Sequence, residues 1–333
     1  MFFFVLSIIG IMLAKISSSF ILGELYSRFV RNSLFLLALI IPIISGMGVN
    51  FSITIGAMAA QIAMVLVIDM KLTSGLGFLV ATLISIIISI FLGSIIGNIL
   101  NKAKGKEMIV SIVIGFLGTN IYQLIFMVGY GTLIQPLNKE ILLIRGIGVK
   151  SMLDASNFKG IFNGILPIKV GDVYGSLVPI VIIILIGIIV HLITKSKFGY
   201  HAKAVGENLI LSERSGIDVD KVRKTSIILS TILASLAQLM FIQELGVLNV
   251  YTGHLNLDIF SAAAILAGGA TLRRASIKNV FLGVILFHTL FIVSPIAGQN
   301  LFKSAALGEY FRSFIAYGTI VFALMMNLRY EPK

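Results

Sequence analysis

Apolar runs dominate this chain, and short polar breaks divide them. The runs lie at roughly 2–19, 33–48, 51–69, 77–100, 108–128, 175–193, 225–244, 257–271, 279–297 and 309–327. An apolar stretch of about 20 residues crosses the hydrocarbon core as a helix, so the pattern predicts an all-α, polytopic bundle of about ten membrane helices. A membrane barrel shows ten-residue segments of alternating polarity instead, and no such alternation runs through this sequence. One interruption stands apart. Residues 194–224 set Lys195, Lys197, Lys203, Arg214, Lys221, Arg223 and Lys224 against Glu207, Glu213, Asp218 and Asp220, with internal glycines and helix-compatible stretches. This is longer and more mixed than a plain membrane loop. It reads as a folded element made for contact with another protein.

Two apolar runs are broken internally. SGMGVNFSITIG at 45–56 interrupts the stretch from about 33 to 69, and LGVLNVYTGHLNLD at 245–258 occupies the corresponding place in the second half. Irregular backbone at membrane depth is tolerated only inside protein or beside an aqueous cavity. In transporters such broken helices border the solute site, because they free backbone groups for hydrogen bonding. Asn50, Ser52, Thr54 and Gln61 in the first break, with Asn249, Tyr251, Thr252, His254 and Asn256 in the second, are therefore candidate pathway residues near the midplane. Neutral hydrogen-bonding groups suit an uncharged polyol, and Tyr251 offers a ring to stack on a sugar or a base. The competing reading is a pair of tight connections whose hydroxyls bond their own backbone. His288, in mid-span, is expected in a helix–helix hydrogen bond rather than as a proton carrier. Asp258 is expected to cap the helix that follows it. Gly93 and Gly97 form a GxxxG that permits close helix approach, within the subunit or across a dimer.

Composition excludes a soluble globule. Of the 333 residues 58% are hydrophobic and only 12% charged, with a mean hydropathy of +1.04, against roughly 45–50% apolar and 25% charged in water-soluble domains. The net charge of +12 is therefore no nucleic-acid footprint. Spread over loops, it is the positive-inside bias of a membrane protein. Lys102, Lys104 and Lys106, the 194–224 run, Arg273, Arg274 and Lys278, and finally Arg329 and Lys333 fall on one side if the spans alternate. That predicts cytoplasmic termini in a multi-pass plasma-membrane protein, with Arg28 and Arg31 on the opposing side as contrary evidence. Residues 129–174 become an external loop with a short surface helix, interrupted by Lys139, Glu140, Arg145 and Lys150. It serves either as a receptor-facing lid or as a plain surface loop. No cysteine is present, which excludes disulfides, thiolate metal sites and cysteine nucleophiles. MFFFVLSIIGIMLAK lacks a basic leader and a small-residue cleavage site, so a retained first span is expected.

Thr194, Phe198-Gly199, Ala204-Val205-Gly206-Glu207-Asn208 and Ser215-Gly216-Ile217, in that order, resemble the coupling loop of permease subunits from bacterial ABC importers for simple sugars. That group also includes nucleoside and branched-chain amino-acid permeases. Leu257-Asp258, then Ala262-Ala263-Ala264 and Gly268-Gly269, are similar to a second stretch of the family, closer to its sugar-type members. The resemblance implies one transmembrane permease domain over 1–333, whose loop docks short helices into a groove of a nucleotide-binding subunit. Gly206 and Gly216 would permit turns, and the charges would set register. It further implies a second permease subunit, an external solute-binding protein and alternating access. No GxxxxGK[ST] run occurs, so no phosphate cradle is expected here; ATP and Mg belong to the partner ATPase, and the chain binds no cofactor of its own. Departures from the family are Ile210-Leu211 in place of small residues, Ser235 and Gln238 in place of glycines, Arg273-Arg274-Ala275 in place of a glycine cluster, and Asn50 in place of an acid. They allow that the chain is one half of a heterodimer. An ion-coupled secondary transporter needs buried carboxylates, whereas Glu24, Asp69 and Asp258 fall at span ends. A scaffold needs neither broken helices nor a patterned loop, and no HExxH or GxSxG motif suggests an enzyme.

Overall fold

A backbone in hydrocarbon must satisfy its own N–H and C=O groups, so the apolar runs become helices. The computed structural model describes residues 2–144, 146–163 and 165–329, which leaves Arg145 and Lys333 outside the described residues. Each of the ten apolar runs lies on a helix. The first five are α1 (Phe2–Ala14), α2 (Ser18–Ile44), α3 (Ile53–Asp69), α4 (Ser74–Lys102) and α5 (Glu107–Leu124), the last extended by a π turn, Ile125–Gly129. A surface region follows with β1 (Met152–Asp154), α6 (Ser156–Asn163), β2 (Pro167–Val170) and β3 (Val173–Ser176). Next come α7 (Leu177–Lys195), α8 (Lys197–Glu207), α9 (Leu209–Arg214) and α10 (Val219–Leu245). The chain then runs through β4 (Val247–Asn249), α11 (Leu257–Ala267), α12 (Ile277–Phe302) and α13 (Ala305–Arg329).

Among the described residues, six helices are long and apolar enough to cross a membrane: α2, α4, α5 with its π turn, α7, α10 and α12. The chain is a multi-pass membrane protein. Helices α1, α3 and α11 are apolar but shorter, so length and composition bear out six of the ten expected crossings.

Two sequence expectations need correction here. Arg28 and Arg31 lie on no loop, because α2 begins at Ser18 and carries both half-buried within it. Glu24, expected at a span end, lies in the same helix, 3.6 Å from Arg28. The guanidinium of Arg28 lies over the Phe291 ring at 5.2 Å and that of Arg31 over Phe241 at 5.7 Å. These contacts let two cations sit in an apolar helix. The purely helical expectation also missed two small antiparallel pairs, β1 with β4 and β2 with β3.

The GxxxG closes within the subunit. A Cβ on Gly93 would stand 3.0 Å from Ile228 Cα, and one on Gly97 3.0 Å from Lys224 Cα. Both glycines thus seat α4 directly on the α10 backbone, where any side chain would wedge the helices apart. His288 is buried but makes no helix–helix bond through Nδ1, which has no partner; its ring packs edge-on against Phe287.

The loops sort to two ends of the bundle. At one end, Gly206 meets Ile44 and Gly46, and Lys104 pairs with Asp220 at 2.8 Å. At the other, Ser19 donates to Asp172 at 2.7 Å, and Asp69 accepts from the Asn138 N–H at 2.8 Å. The basic clusters at 102–106, 194–224 and 273–274 share the first end, since Arg273 and Arg274 line one pocket with Lys203.

Candidate functional site

The charged segment folds into two short helices, and its own side chains explain why. Ser196 Oγ accepts the Gly199 N–H at 3.4 Å to open α8, and Lys203 Nζ returns to the Thr194 carbonyl at 2.8 Å. Asn208 ends α8 by donating its N–H to the Ala204 carbonyl at 3.0 Å and opens α9 by accepting the Leu211 N–H at 2.9 Å. Gly216 turns the chain at φ +79°, a conformation that glycine adopts without strain. Ser215 Oγ bonds back to the Leu211 carbonyl at 2.8 Å, and Asp218 caps α10 through the Lys221 N–H at 3.0 Å. Gly206 is no turn residue. It lies inside α8 where its backbone abuts the Ile44 carbonyl and Gly46, so its role is close approach.

One face of this unit anchors it and the other is bare. Gly199, Ala202 and Val205 are buried, with Phe198 and Ile217 packed against the main core. Tyr200, Ile210 and Leu211 point outward, the last two 66% and 63% exposed, beside exposed Glu207. Together they form an exposed apolar patch among charged neighbours.

The two breaks enter the bundle from opposite ends and stack along α10. Asn50 Nδ2 reaches Ser230 Oγ at 3.1 Å, while the Gly253 carbonyl accepts from Gln238 Nε2 at 3.2 Å. Eight residues of helix separate those partners, about 12 Å at 1.5 Å per residue. The first break closes on itself. Asn50 Oδ1 accepts from Ser52 Oγ at 2.6 Å and from the Ser52 N–H at 3.1 Å, and Thr54 Oγ1 bonds the Phe51 carbonyl at 3.4 Å. These three side chains brace a turn.

Gln61 alone of the first group joins the second break. Its Nε2 donates to the Asn249 carbonyl at 3.1 Å, which turns its Oε1 toward His254 Nδ1, 2.8 Å away. Nδ1 must then carry the hydrogen, leaving His254 Nε2 as an acceptor. That Nε2, Tyr122 Oη and Gln238 Oε1 are all buried without a partner. The Tyr122 ring stands edge-on to His254 at 5.1 Å. Buried polar atoms are normally satisfied, and three open ones gather around residues 253–254. The remaining candidates divide. Tyr251 Oη is committed to backbone, 2.7 Å from the Val149 carbonyl and 3.1 Å from that of Phe126, and so anchors the surface region. Thr252 and Asn256 are exposed, and Asn256 occupies the left-handed region at φ +62°. Asn256, not Asp258, is the N-cap residue of α11; it makes no side-chain cap, and Asp258 falls in the first turn.

Sequence reading passed over Tyr122, whose ring meets His254, and took Gln238 only as a departure from the family. The visible signal was a lone amide in the apolar run LASLAQ, which is costly there unless it has a task. It also missed how β4 pairs with β1 (Met152 opposite Asn249, Asp154 opposite Val247), which holds the second break in place.

Comparison with known proteins decides the family. The model of the branched-chain amino acid transport system / permease component family matches residues 21–327. The chain belongs to this family. The match contains both breaks and the whole of α8 and α9, and it places the chain among transport permeases rather than enzymes. Over 149 residues, the permease is 31% identical to the probable branched-chain amino acid transport permease protein LivH of Methanocaldococcus jannaschii, covering 44% of this chain and 42% of that one. Over 163 residues it is 27% identical to the xylose transport system permease protein XylH of Haemophilus influenzae, covering 49% of this chain and 42% of that one. The chain thus spans less than half the length of these curated relatives. No solved structure matches.

Proposed function

We propose that this permease is the membrane subunit of an ATP-driven importer, and that α8 and α9 are the handle gripped by a separate ATPase. The bare Ile210–Leu211 face on a self-capped helical pair carries the reading. A segment with every local cap in place is rigid enough to transmit force, and its outward side chains have no partner within the subunit. In this reading the coupling end is cytoplasmic, which the gathered cations support, and ATP with Mg sits on the motor. A second permease subunit and an external solute-binding protein complete the assembly. Closure of the motor draws the handles together and reopens the bundle outward; hydrolysis resets it.

The guest at Tyr122, Gln238 and His254 is a small neutral solute rich in hydroxyls, a monosaccharide foremost. Two acceptors and a phenol match hydroxyl donors, whereas the ammonium and carboxylate of an amino acid call for charged partners, which these side chains do not supply. Relatives named for branched-chain amino acids and for xylose match at comparable identity, so the open polar atoms tip the choice. The test is uptake by proteoliposomes holding the permease with its cognate ATPase and receptor. ATP-dependent entry of D-xylose or D-ribose supports the reading. Entry of L-leucine or a nucleoside alone corrects the solute, and uptake indifferent to ATP rejects the importer.

A further inference from the structure

The end of the bundle opposite α8 carries a large apolar surface. Helix α5 with its π turn runs over 23 residues, Glu107–Gly129. At 1.5 Å per residue that is about 34 Å, enough to carry the chain across a hydrocarbon core of about 30 Å. The 130–150 loop therefore begins at headgroup depth. Its Leu133 and Leu137 are 90% and 77% exposed and its Ile144 wholly so, with Ile134, Leu143 and Ile147 also outward. This face continues the outward side of α5, where Leu124, Met127 and Val128 are exposed too.

Backbone next to lipid has to find its partners within the protein, and the loop is built that way. The Ile134 and Gly148 N–H groups donate to the Gly129 and Tyr130 carbonyls, both at 2.9 Å, and the Leu143 N–H donates to the Gly148 carbonyl at 3.0 Å. At its root the Val149 N–H donates to the Phe126 carbonyl at 2.9 Å, and the Lys150 N–H to the Ile141 carbonyl at 2.8 Å. Lys139 and Lys150 flank an open cleft of about 490 Å³ that also holds Glu140, Leu142 and Ile144. Lysines at the rim of an apolar face suit a bilayer surface, where the stem lies along hydrocarbon and the ammonium meets phosphate.

We propose that the 130–150 loop is an interfacial lipid anchor, which lays Leu133, Leu137 and Ile144 into the adjoining leaflet with Lys139 and Lys150 at phosphate level. The proposal stands independently of the importer reading. A solute receptor or a second permease are the other occupants such a face could take. The depth at which α5 delivers the loop, and the unbroken run of its apolar face from that of α5, favour lipid. Tyr251 Oη, bonded to the Phe126 and Val149 carbonyls, ties the two roots of the loop to the second break.

The chain contains no tryptophan, so a single one reports on its own surroundings. Full-length Leu133→Trp and Ile144→Trp permeases are reconstituted separately in phosphatidylcholine nanodiscs whose acyl chains carry bromine near the headgroup or near the methyl end. Both positions are exposed, so each variant keeps the fold. The proposal expects both reporters to lose emission to bromine near the headgroup, to lose less to bromine near the methyl end, as an anchor about 5–10 Å deep would, and to ignore aqueous iodide. Quenching by iodide without quenching by bromine overturns it, and recovery of that emission on adding a solute-binding protein would assign the face to the receptor. Indifference to both quenchers also overturns it and assigns the face to a contact between permeases.

Discussion

Arg223 Nη2 donates to Glu107 Oε1 across 2.6 Å, joining the first turn of α10 to the first residue of α5 with the arginine fully buried. The same guanidinium reaches Asn101 Oδ1 at 3.1 Å and the Leu100 carbonyl at 3.3 Å at the end of α4. Nearby, Lys104 and Asp220 form an exposed pair at 2.8 Å, and Asn101 Nδ2 bonds the Asp220 carbonyl at 2.8 Å. The start of α10, where the 194–224 segment ends, is therefore fastened to the α4–α5 junction.

Removing one member of that buried pair strands the other charge. Glu107→Ala is expected to lower stability by roughly 3–5 kcal/mol, and the double variant R223M/E107L to lose much less than the two single losses added. Thermal unfolding of the detergent-solubilised permease measures both. Additive losses would contradict the coupling.

The α4–α10 seam predicts a packing defect. Gly97→Val places a branched side chain against Lys224 Cα, where the ideal Cβ already stands only 3.0 Å away. Overpacking of this kind costs about 1–3 kcal/mol, to be seen as a lower unfolding temperature. Gly105→Ala, in the open turn after α4, serves as a positional control. Its φ of +86° charges only local backbone strain, with no loosening of the seam.

Tyr122→Phe separates a structural role from a solute role. The hydroxyl is buried and unpartnered, so removing it leaves stability unchanged or raised. If a solute bonds that oxygen, its KM rises by about 2–10-fold, the worth of one neutral hydrogen bond at 0.5–1.5 kcal/mol. Uptake kinetics in proteoliposomes read the difference, and an unaltered KM removes Tyr122 from the pathway.

Asp69 predicts the behaviour of the opposite end. Its buried carboxylate accepts the Asn138 N–H at 2.8 Å and lies 3.4 Å from Tyr130 Oη. Asp69→Ala is expected to free the 130–150 region, raising its amide hydrogen exchange while α8 and α9 stay protected to the same degree.

How much of this was legible beforehand follows from the length of the interactions involved. Hydrophobic runs locate helices because each helix satisfies its own backbone, and the polar 194–224 stretch locates the helical pair α8 and α9 because its caps, Ser196, Asn208 and Asp218, lie within the same stretch of sequence. Arg28 and Arg31 misled because charge suggested a loop, while the rings that shelter them, Phe291 and Phe241, lie more than 200 positions away. Asn50 and Gln61 looked alike as polar residues near a break. Only the fold shows one bracing its own turn and the other orienting His254, a partner 193 residues distant. Such pairings leave no local pattern to read.

The central claim is that α9 meets an ATPase, and the absence of native cysteine makes it directly testable. A single cysteine at Leu211, treated with a short bifunctional thiol crosslinker in inside-out membrane vesicles, is predicted to yield an adduct. Mass spectrometry should identify its second polypeptide by a GxxxxGK[ST] sequence, and added nucleotide should change the yield. Labelling of that cysteine by an impermeant maleimide from outside intact cells, or adducts containing no ATPase, would contradict the account.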